Sequence, residues 1–354
     1  MAKIIYGVAG EGMGHATRSW VIIKELMKKH EVWAVCGDSA YDFLSKKIKN
    51  ILKIDALRIM YIRNKVSNIK TMIYNLKTMI KGRKISLEKV NDLVADFKPD
   101  LVISDFEYFS SLIAKKNNLP LVVIDNNHIS NKAKVTVPKL YFKDYLVSKM
   151  IANIIARKAK YFLITTFFYP KIKEKNVSFY PPILRDKIIK LKPSVKDYIL
   201  VYQTSKSYTK LIPTLKKIDE KFIAYSIRDD GIEENITFKK FGEEEFFNDL
   251  KDCKAVISNG GYSLMGEALY LDKPILSIPI GGQFEQILNA LYLKKLGYGL
   301  FSKRISKKIV EKFLSDLDHY RANIKKHKKE DNSRLFKKIE SIIQELEPHE
   351  AAAS

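Results

Sequence analysis

Two stretches of this 354-residue chain combine residue types and spacings that can do chemistry. The longer runs from Val256 to Ala290. Its apolar start ends at Ser258 in the pattern of a buried strand, and Asn259, Gly260 and Gly261 follow. Two glycines let a backbone approach a ligand closely. A helix opening near Ser263 would offer free N–H groups and a partial positive charge, which suit a diphosphate. Glu267 stands four residues after Ser263, on the same helical face, where a carboxylate can accept hydrogen bonds from a ribose diol. A second apolar run ends at Pro279, Gly281-Gly282 open the backbone again, and Glu285-Gln286 follow at the mouth of the same crevice. The shorter stretch is Gly7-Val-Ala-Gly-Glu-Gly-Met-Gly-His-Ala-Thr-Arg18. It departs from the dinucleotide fingerprint, because Gly10 and Gly12 fit but position 15 is histidine rather than glycine.

The 256–290 stretch resembles the donor-binding region of GT-B glycosyltransferases. It is similar above all to family 28, with the lipid II-forming N-acetylglucosaminyltransferase and the galactolipid synthases, and to the wider UDP-glycosyltransferase superfamily. The resemblance implies that Asn259, Gly260, Gly261 and Ser263 hold the donor diphosphate and that Glu267 holds the ribose. It implies that Glu285 and Gln286 contact the donor sugar; the pair is often Asp-Gln or Gln-Gln, so Glu285 is a mild departure that leaves the sugar open. Thr204 and Ser205, after the first strand of the second half, fall where the family contacts phosphate, though a polar turn explains them equally. Phe241 falls in the base-binding segment, or is a core aromatic. The loop carrying Gly12, Gly14 and His15 resembles the family's Gly-x-Gly-x-Gly-His loop, which lies beside the acceptor and the donor phosphates. Removing the acceptor proton suits a neutral imidazole, so His15 is the expected base, with Asp105 as the residue that orients it. Arg18, one turn on, would offset leaving-phosphate charge or form a surface ion pair. Glu107, Asn127 and His128 lie near neighbouring strand ends and are candidates to shape the acceptor pocket; a lone His128 also reads as structural.

The elements that must position these residues are read from apolar periodicity. Lys3–Ala9, Glu31–Cys36, Pro99–Asp105 and Leu119–Asp125 read as strands, with helices over Ser19–Lys29 and Tyr108–Lys116 between some of them. Pro181-Pro182 marks a break. A second series follows, with strands over Asp197–Gln203, Lys221–Ile227, Ala255–Ser258 and Pro274–Pro279. Its helices are expected over Thr209–Ile218, Phe246–Leu250 and Gln286–Leu296. Strands alternating with helices imply parallel βαβ units and an α/β fold. With the resemblance, the expected architecture is GT-B: two Rossmann-like lobes whose parallel sheets face across a cleft. The expected domains are 1–182 on the acceptor side, 183–332 for the nucleotide sugar, and a C-terminal helix in 333–354 that packs back on the first lobe.

Composition narrows the function. The net charge is +23, and residues 1–185 hold 33 Lys/Arg against 15 Asp/Glu, so the excess sits in the first half. Residues 58–84 carry no acidic residue, and Ile69, Met72, Ile73, Leu76, Met79 and Ile80 recur there at helical spacing. Lys132–Arg157 is a second basic stretch and holds Tyr141, Phe142, Tyr145 and Leu146. Both read as amphipathic surfaces for an anionic membrane, or as apolar stripes packed on the lobe with lysines in water. No run approaches a membrane span, no signal peptide is legible, and Cys36 and Cys253 stand far apart, so a cytoplasmic protein is expected, with a peripheral place on the inner face of the membrane as its extension. The Asp316-Leu-Asp318 pair lies in a charged helical stretch and reads as a solvated face, so no metal site is expected. No cofactor is expected beyond the nucleotide-sugar substrate, with UDP as carrier. The expected reaction is metal-independent transfer to a hydroxyl acceptor, lipid or lipid-phosphate among the candidates; inversion is what the resemblance implies. A nucleotide-sugar 2-epimerase and a non-catalytic sugar-nucleotide-binding subunit are the alternatives. Nucleic acid finds no recognition motif here.

Overall fold

A computed structural model describes residues 1–10, 12–55, 61–62, 65–66, 84–156, 158–203 and 208–346. The chain forms two compact units. The first comprises Met1–Met60, Asn68–Ile183 and Asp331–Ser354, the second Tyr61–Ser67 and Leu184–Glu330.

The first unit is built on β1 (Lys3–Val8), β2 (Glu31–Cys36), β3 (Ile51–Lys53), β4 (Leu101–Asp105), β5 (Leu121–Asp125), β6 (Tyr161–Thr165) and β7 (Val177–Tyr180). Their spatial order is β3-β2-β1-β4-β5-β6-β7, and every pairing is parallel. β4 and β5 are buried along their whole length, as expected of strands covered on both faces. The core joins Ile4, Tyr6, Ile103, Val122 and Ile124 to Ile22 and Ile23 of the helix Met13–Leu26. It also takes in Leu335, Ile339, Ile342 and Ile343 of the helix Ser333–Leu346. This helix therefore completes the core of the first unit.

The second unit holds β8 (Ile199–Tyr202), β9 (Phe222–Tyr225), β10 (Gly231–Glu233), β11 (Ile236–Lys239), β12 (Ala255–Ser258), β13 (Ile275–Ser277) and β14 (Gly299–Phe301). Their order is β10-β11-β9-β8-β12-β13-β14, parallel except for β10 against β11. Ile199, Val201, Phe222, Ile257 and Leu276 form its core with Val310 and Phe313.

The structure departs from the periodicity in places. The helix expected over Thr209–Ile218 is α-helical only over Leu211–Leu215, where Pro213 lacks an N–H to extend it. The hairpin of β10 and β11 lies in a polar, charge-rich segment where no apolar alternation announces it. The helix expected over Phe246–Leu250 starts earlier, at Glu243, because three glutamates in its first turn favour a helix start. In the Lys132–Arg157 stretch, Phe142 and Leu146 point outward rather than packing on the unit. Nearly all of the 58–84 stretch lies outside the described residues.

Candidate functional site

In an open parallel sheet, ligands bind beyond the carboxyl ends of strands where the order reverses. In the first unit that point lies between β1 and β4, and their register sets Val8 beside Asp105. The Ala9 N–H donates to the Asp105 carbonyl at 3.0 Å, so the glycine loop leaves β1 alongside the end of β4. Gly12 caps the helix Met13–Leu26 with φ +86°, a conformation that disfavours side chains. Gly14 and His15 then fall in the first turn of that helix.

His15 and Asp105 meet, 90 residues apart in sequence, with Nδ1 2.9 Å from Oδ1. The expected pair has a third member. Arg18 donates from Nε to Asp105 Oδ2 at 2.8 Å and from Nη2 to Oδ1 at 2.5 Å, and from Nη1 to Asn126 Oδ1 at 2.6 Å. Ser19 Oγ donates to Asp105 Oδ2 at 2.9 Å. Arg18 is only 3% exposed, so it is neither a surface ion pair nor free to follow a leaving phosphate. Burial would raise the Asp105 carboxyl, but Arg18 and His15 beside it prevail and hold it well below the usual carboxylate range. Arg18 Nη2 also lies 2.8 Å from His15 Nδ1. One ring nitrogen carries either a hydrogen or a lone pair. Nδ1 therefore donates to Asp105 or accepts from Arg18, and only the first leaves Nε2 as a proton acceptor.

Two of the other acceptor-side candidates, Glu107 and His128, make structural contacts. Glu107 is buried and caps the helix Tyr108–Lys116, accepting from the N–H groups of Phe109 at 2.8 Å and Ser110 at 2.6 Å. Burial raises its carboxyl against those bonds. His128 is fully buried, with Nδ1 2.6 Å from Asp125 Oδ2 and Nε2 3.1 Å from the Ala152 carbonyl. Asn127 is half-buried, and its Oδ1 has no partner among the described residues.

In the second unit the order reverses between β8 and β12. Register sets Tyr202 beside Ser258 and Ser258 beside Ser277, so a row of polar strand ends forms one rim. Asn259 is buried behind it. Gly260 takes φ +86°, and a Cβ there would stand 2.6 Å from Ser277 Oγ. Its N–H donates to Ser258 Oγ at 3.3 Å, and its carbonyl accepts from Asn289 Nδ2 at 3.2 Å. Gly261 caps the helix Tyr262–Tyr270, whose first turn includes Ser263. Gln286 accepts the Ile280 N–H on Oε1 at 2.9 Å and so braces the second turn; Glu285 beside it is half-buried. Ser277 Oγ and Gln203 Nε2 are buried with no partner among the described residues. Phe241 is 47% exposed and packs on Phe246, ring centres 5.2 Å apart. Thr204 and Ser205 lie outside the described residues.

Glu267 has a partner that sequence reasoning missed. Arg185 grips it with Nε to Oε1 at 2.6 Å and Nη2 to Oε2 at 2.7 Å. Arg185 also pairs with Glu243 at 3.3 Å and stands 4.2 Å over the Phe247 ring. The only available signal was an arginine just past the Pro181-Pro182 break, which has no fixed spacing to Glu267.

No group of three or more His, Cys, Asp or Glu side chains gathers among the described residues. Asp318 is fully exposed and pairs with Arg321.

Comparison with known proteins gives a consistent picture. A family model described as "Glycosyl transferase family 1" matches residues 2–318. An uncharacterized glycosyltransferase of Methanosarcina mazei is 27% identical over 324 residues, which cover 84% of each chain. The calicheamicin glycosyltransferase CalG4 superposes with a TM-score of 0.67 at 14% identity, over 98% of this chain and 100% of that one. MurG of Acinetobacter baumannii superposes with a TM-score of 0.61 at 14% identity, over 98% and 100%.

Proposed function

From the premise that this chain belongs to glycosyl transferase family 1 and is a GT-B glycosyltransferase, we propose that it moves a sugar from a UDP-sugar to a hydroxyl acceptor with inversion and without a metal. The observation that carries the donor assignment is the turn at Gly260. It lies at the strand reversal, excludes a side chain, and leads into a helix N-terminus beside the buried hydroxyl of Ser277. Asn259, Gly260, Gly261 and Ser263 take the diphosphate, with Thr204 and Ser205 assigned to it from sequence. Phe241 contacts the base, and Glu285 and Gln286 the sugar. Glu267 receives the ribose diol on the lone pairs that Arg185 leaves, while Arg185 keeps the carboxylate in place.

On the acceptor side Gly12 and Gly14 shape the loop, and Asp105 holds His15 with Nδ1–H toward it. Nε2 then takes the acceptor's proton as that oxygen bonds to the anomeric carbon. The bond from the anomeric carbon to phosphate breaks, and its electron pair leaves on UDP. With no metal, helix N-termini and backbone amides carry the growing negative charge. The acceptor hydroxyl belongs to a lipid or lipid-phosphate. The setting is the cytoplasm, in keeping with Cys36 and Cys253, both buried as free thiols pushed up to about 12 by burial.

Titration calorimetry with a panel of nucleotide sugars tests this, followed by product analysis. UDP-sugar binding that weakens by about 10- to 100-fold in Glu267→Ala is expected, since a bound polar group is lost. No binding by any donor, or release of a free epimerised sugar nucleotide, would overturn transfer.

A further inference from the structure

We infer that the helix Phe142–Ile155 seats this enzyme on a bilayer that carries anionic headgroups. Among the described residues, six of the fourteen exposed large apolar side chains fall within residues 140–154: Leu140, Phe142, Leu146, Met150, Ile151 and Ile154. Phe142, Leu146, Met150 and Ile154 recur every fourth residue, so they form one outward row along the helix. Such a contiguous row is unlike the scattered apolar residues of an ordinary surface.

The opposite side of the helix is already anchored. Ala152 and Ile155 are buried, and His128 Nε2 meets the Ala152 and Ala156 carbonyls at 3.1 and 3.2 Å. The outward row is therefore not displaced core. Charge chooses the occupant. Residues 132–160 hold eight Lys/Arg and one acidic residue, Asp144. Lys139 and Lys143 are exposed and Lys149 half-exposed, set among the apolar side chains. Apolar side chains that enter the acyl boundary while lysines reach phosphate are the pattern of a helix lying in the membrane plane. At 14 residues the helix spans about 21 Å, short of a hydrocarbon core of about 30 Å. No helix among the described residues is long and apolar enough to cross a membrane.

Flotation of the full chain with vesicles tests the inference, and reads the surface independently of the donor assignment. The full chain should float with phosphatidylcholine–phosphatidylglycerol vesicles, poorly with phosphatidylcholine alone, and less as salt rises. The double variant Leu146→Glu/Met150→Glu should lose about tenfold or more of the bound fraction. Lys143→Glu/Lys149→Glu should lose binding chiefly at low salt. Unchanged Tm in both variants, expected for outward side chains, shows that folding is intact. Equal flotation of the Leu146→Glu/Met150→Glu variant, or no flotation of the parent chain, would overturn the inference. So would a concentration-dependent dimer by light scattering that the double variant abolishes, because the face would then belong to a second copy.

Discussion

His15 depends on a carboxylate that Arg18 also holds. Asp105 accepts from Arg18 twice and from Ser19, and its Oδ1 lies 2.9 Å from His15 Nδ1, all at the buried end of β4. If His15 is the base, its Nδ1 must hold the hydrogen, and 15N NMR of the histidine ring reads this directly. An unprotonated Nδ1 would make Arg18 the donor and remove Nε2 as a proton acceptor. His15→Ala should lower kcat by about 10²- to 10⁴-fold with donor affinity little changed. Asp105→Asn should also destabilise the fold, by about 3–5 kcal/mol, because it leaves Arg18 buried without its counter-charge. The pH dependence has a definite sign. The folded carboxyl lies below its unfolded value of about 3.9, so its contribution is complete above that value and is lost as pH falls toward the folded one. Urea unfolding from about pH 7 down to about pH 3 should show this acid loss in the parent chain and less of it in Asp105→Asn.

The helix Tyr262–Tyr270 has two jobs, and they meet at Glu267. Its N-terminus follows the Gly260-Gly261 turn, and one turn later Glu267 ties the helix to Arg185. The tie is bidentate, and Glu267 is 2% exposed, so this is a shielded pair rather than a surface one. Arg185→Met keeps a long side chain over Phe247 but leaves the carboxylate alone. A loss of about 3–5 kcal/mol in urea unfolding is expected, together with weaker donor binding. Arg185→Lys should recover part of both, since a lysine supplies charge without the fork. If calorimetry found donor affinity unchanged in Arg185→Met, the pair would be structural alone.

The first unit draws together both ends of its sequence through the helix Ser333–Leu346. Leu335, Ile339, Ile342 and Ile343 are at most 2% exposed and share a core with Ala2 and with Ile4 and Tyr6 of the first strand. His30 and Lys29 meet Glu340 on the same helix, and Tyr161 donates to Glu345. Ending the chain before Ser333 would uncover four apolar side chains and their seats, on the order of 6–12 kcal/mol. That is comparable to the entire stability of a domain. Loss of the cooperative unfolding transition of the first unit is the expected result, measured by calorimetry. A truncated chain that melted unchanged would show that the helix is dispensable.

The sequence by itself determined the α/β class, the two-part organisation and the turn at Gly260-Gly261. These rest on local rules: apolar runs of strand length, helical spacing, and glycines where a side chain would collide with Ser277. The strand and helix Leu101–Asp105 and Tyr108–Lys116 were legible for that reason, and the charge-rich hairpin of β10 and β11 was not. The histidine of the glycine loop was legible too, but not its circuit. Arg18 meets Asp105 across 87 residues, and Arg185 meets Glu267 across 82, because folding sets a helix against a distant strand end in the first case and a helix cap against a distant helix in the second. No spacing in a single chain encodes such pairings. Only the tertiary structure decided which face of Phe142–Ile155 turned outward, since His128 holds its other side at the Ala152 and Ala156 carbonyls. An amphipathic period states that a helix has an apolar face; what that face meets is settled by the rest of the molecule.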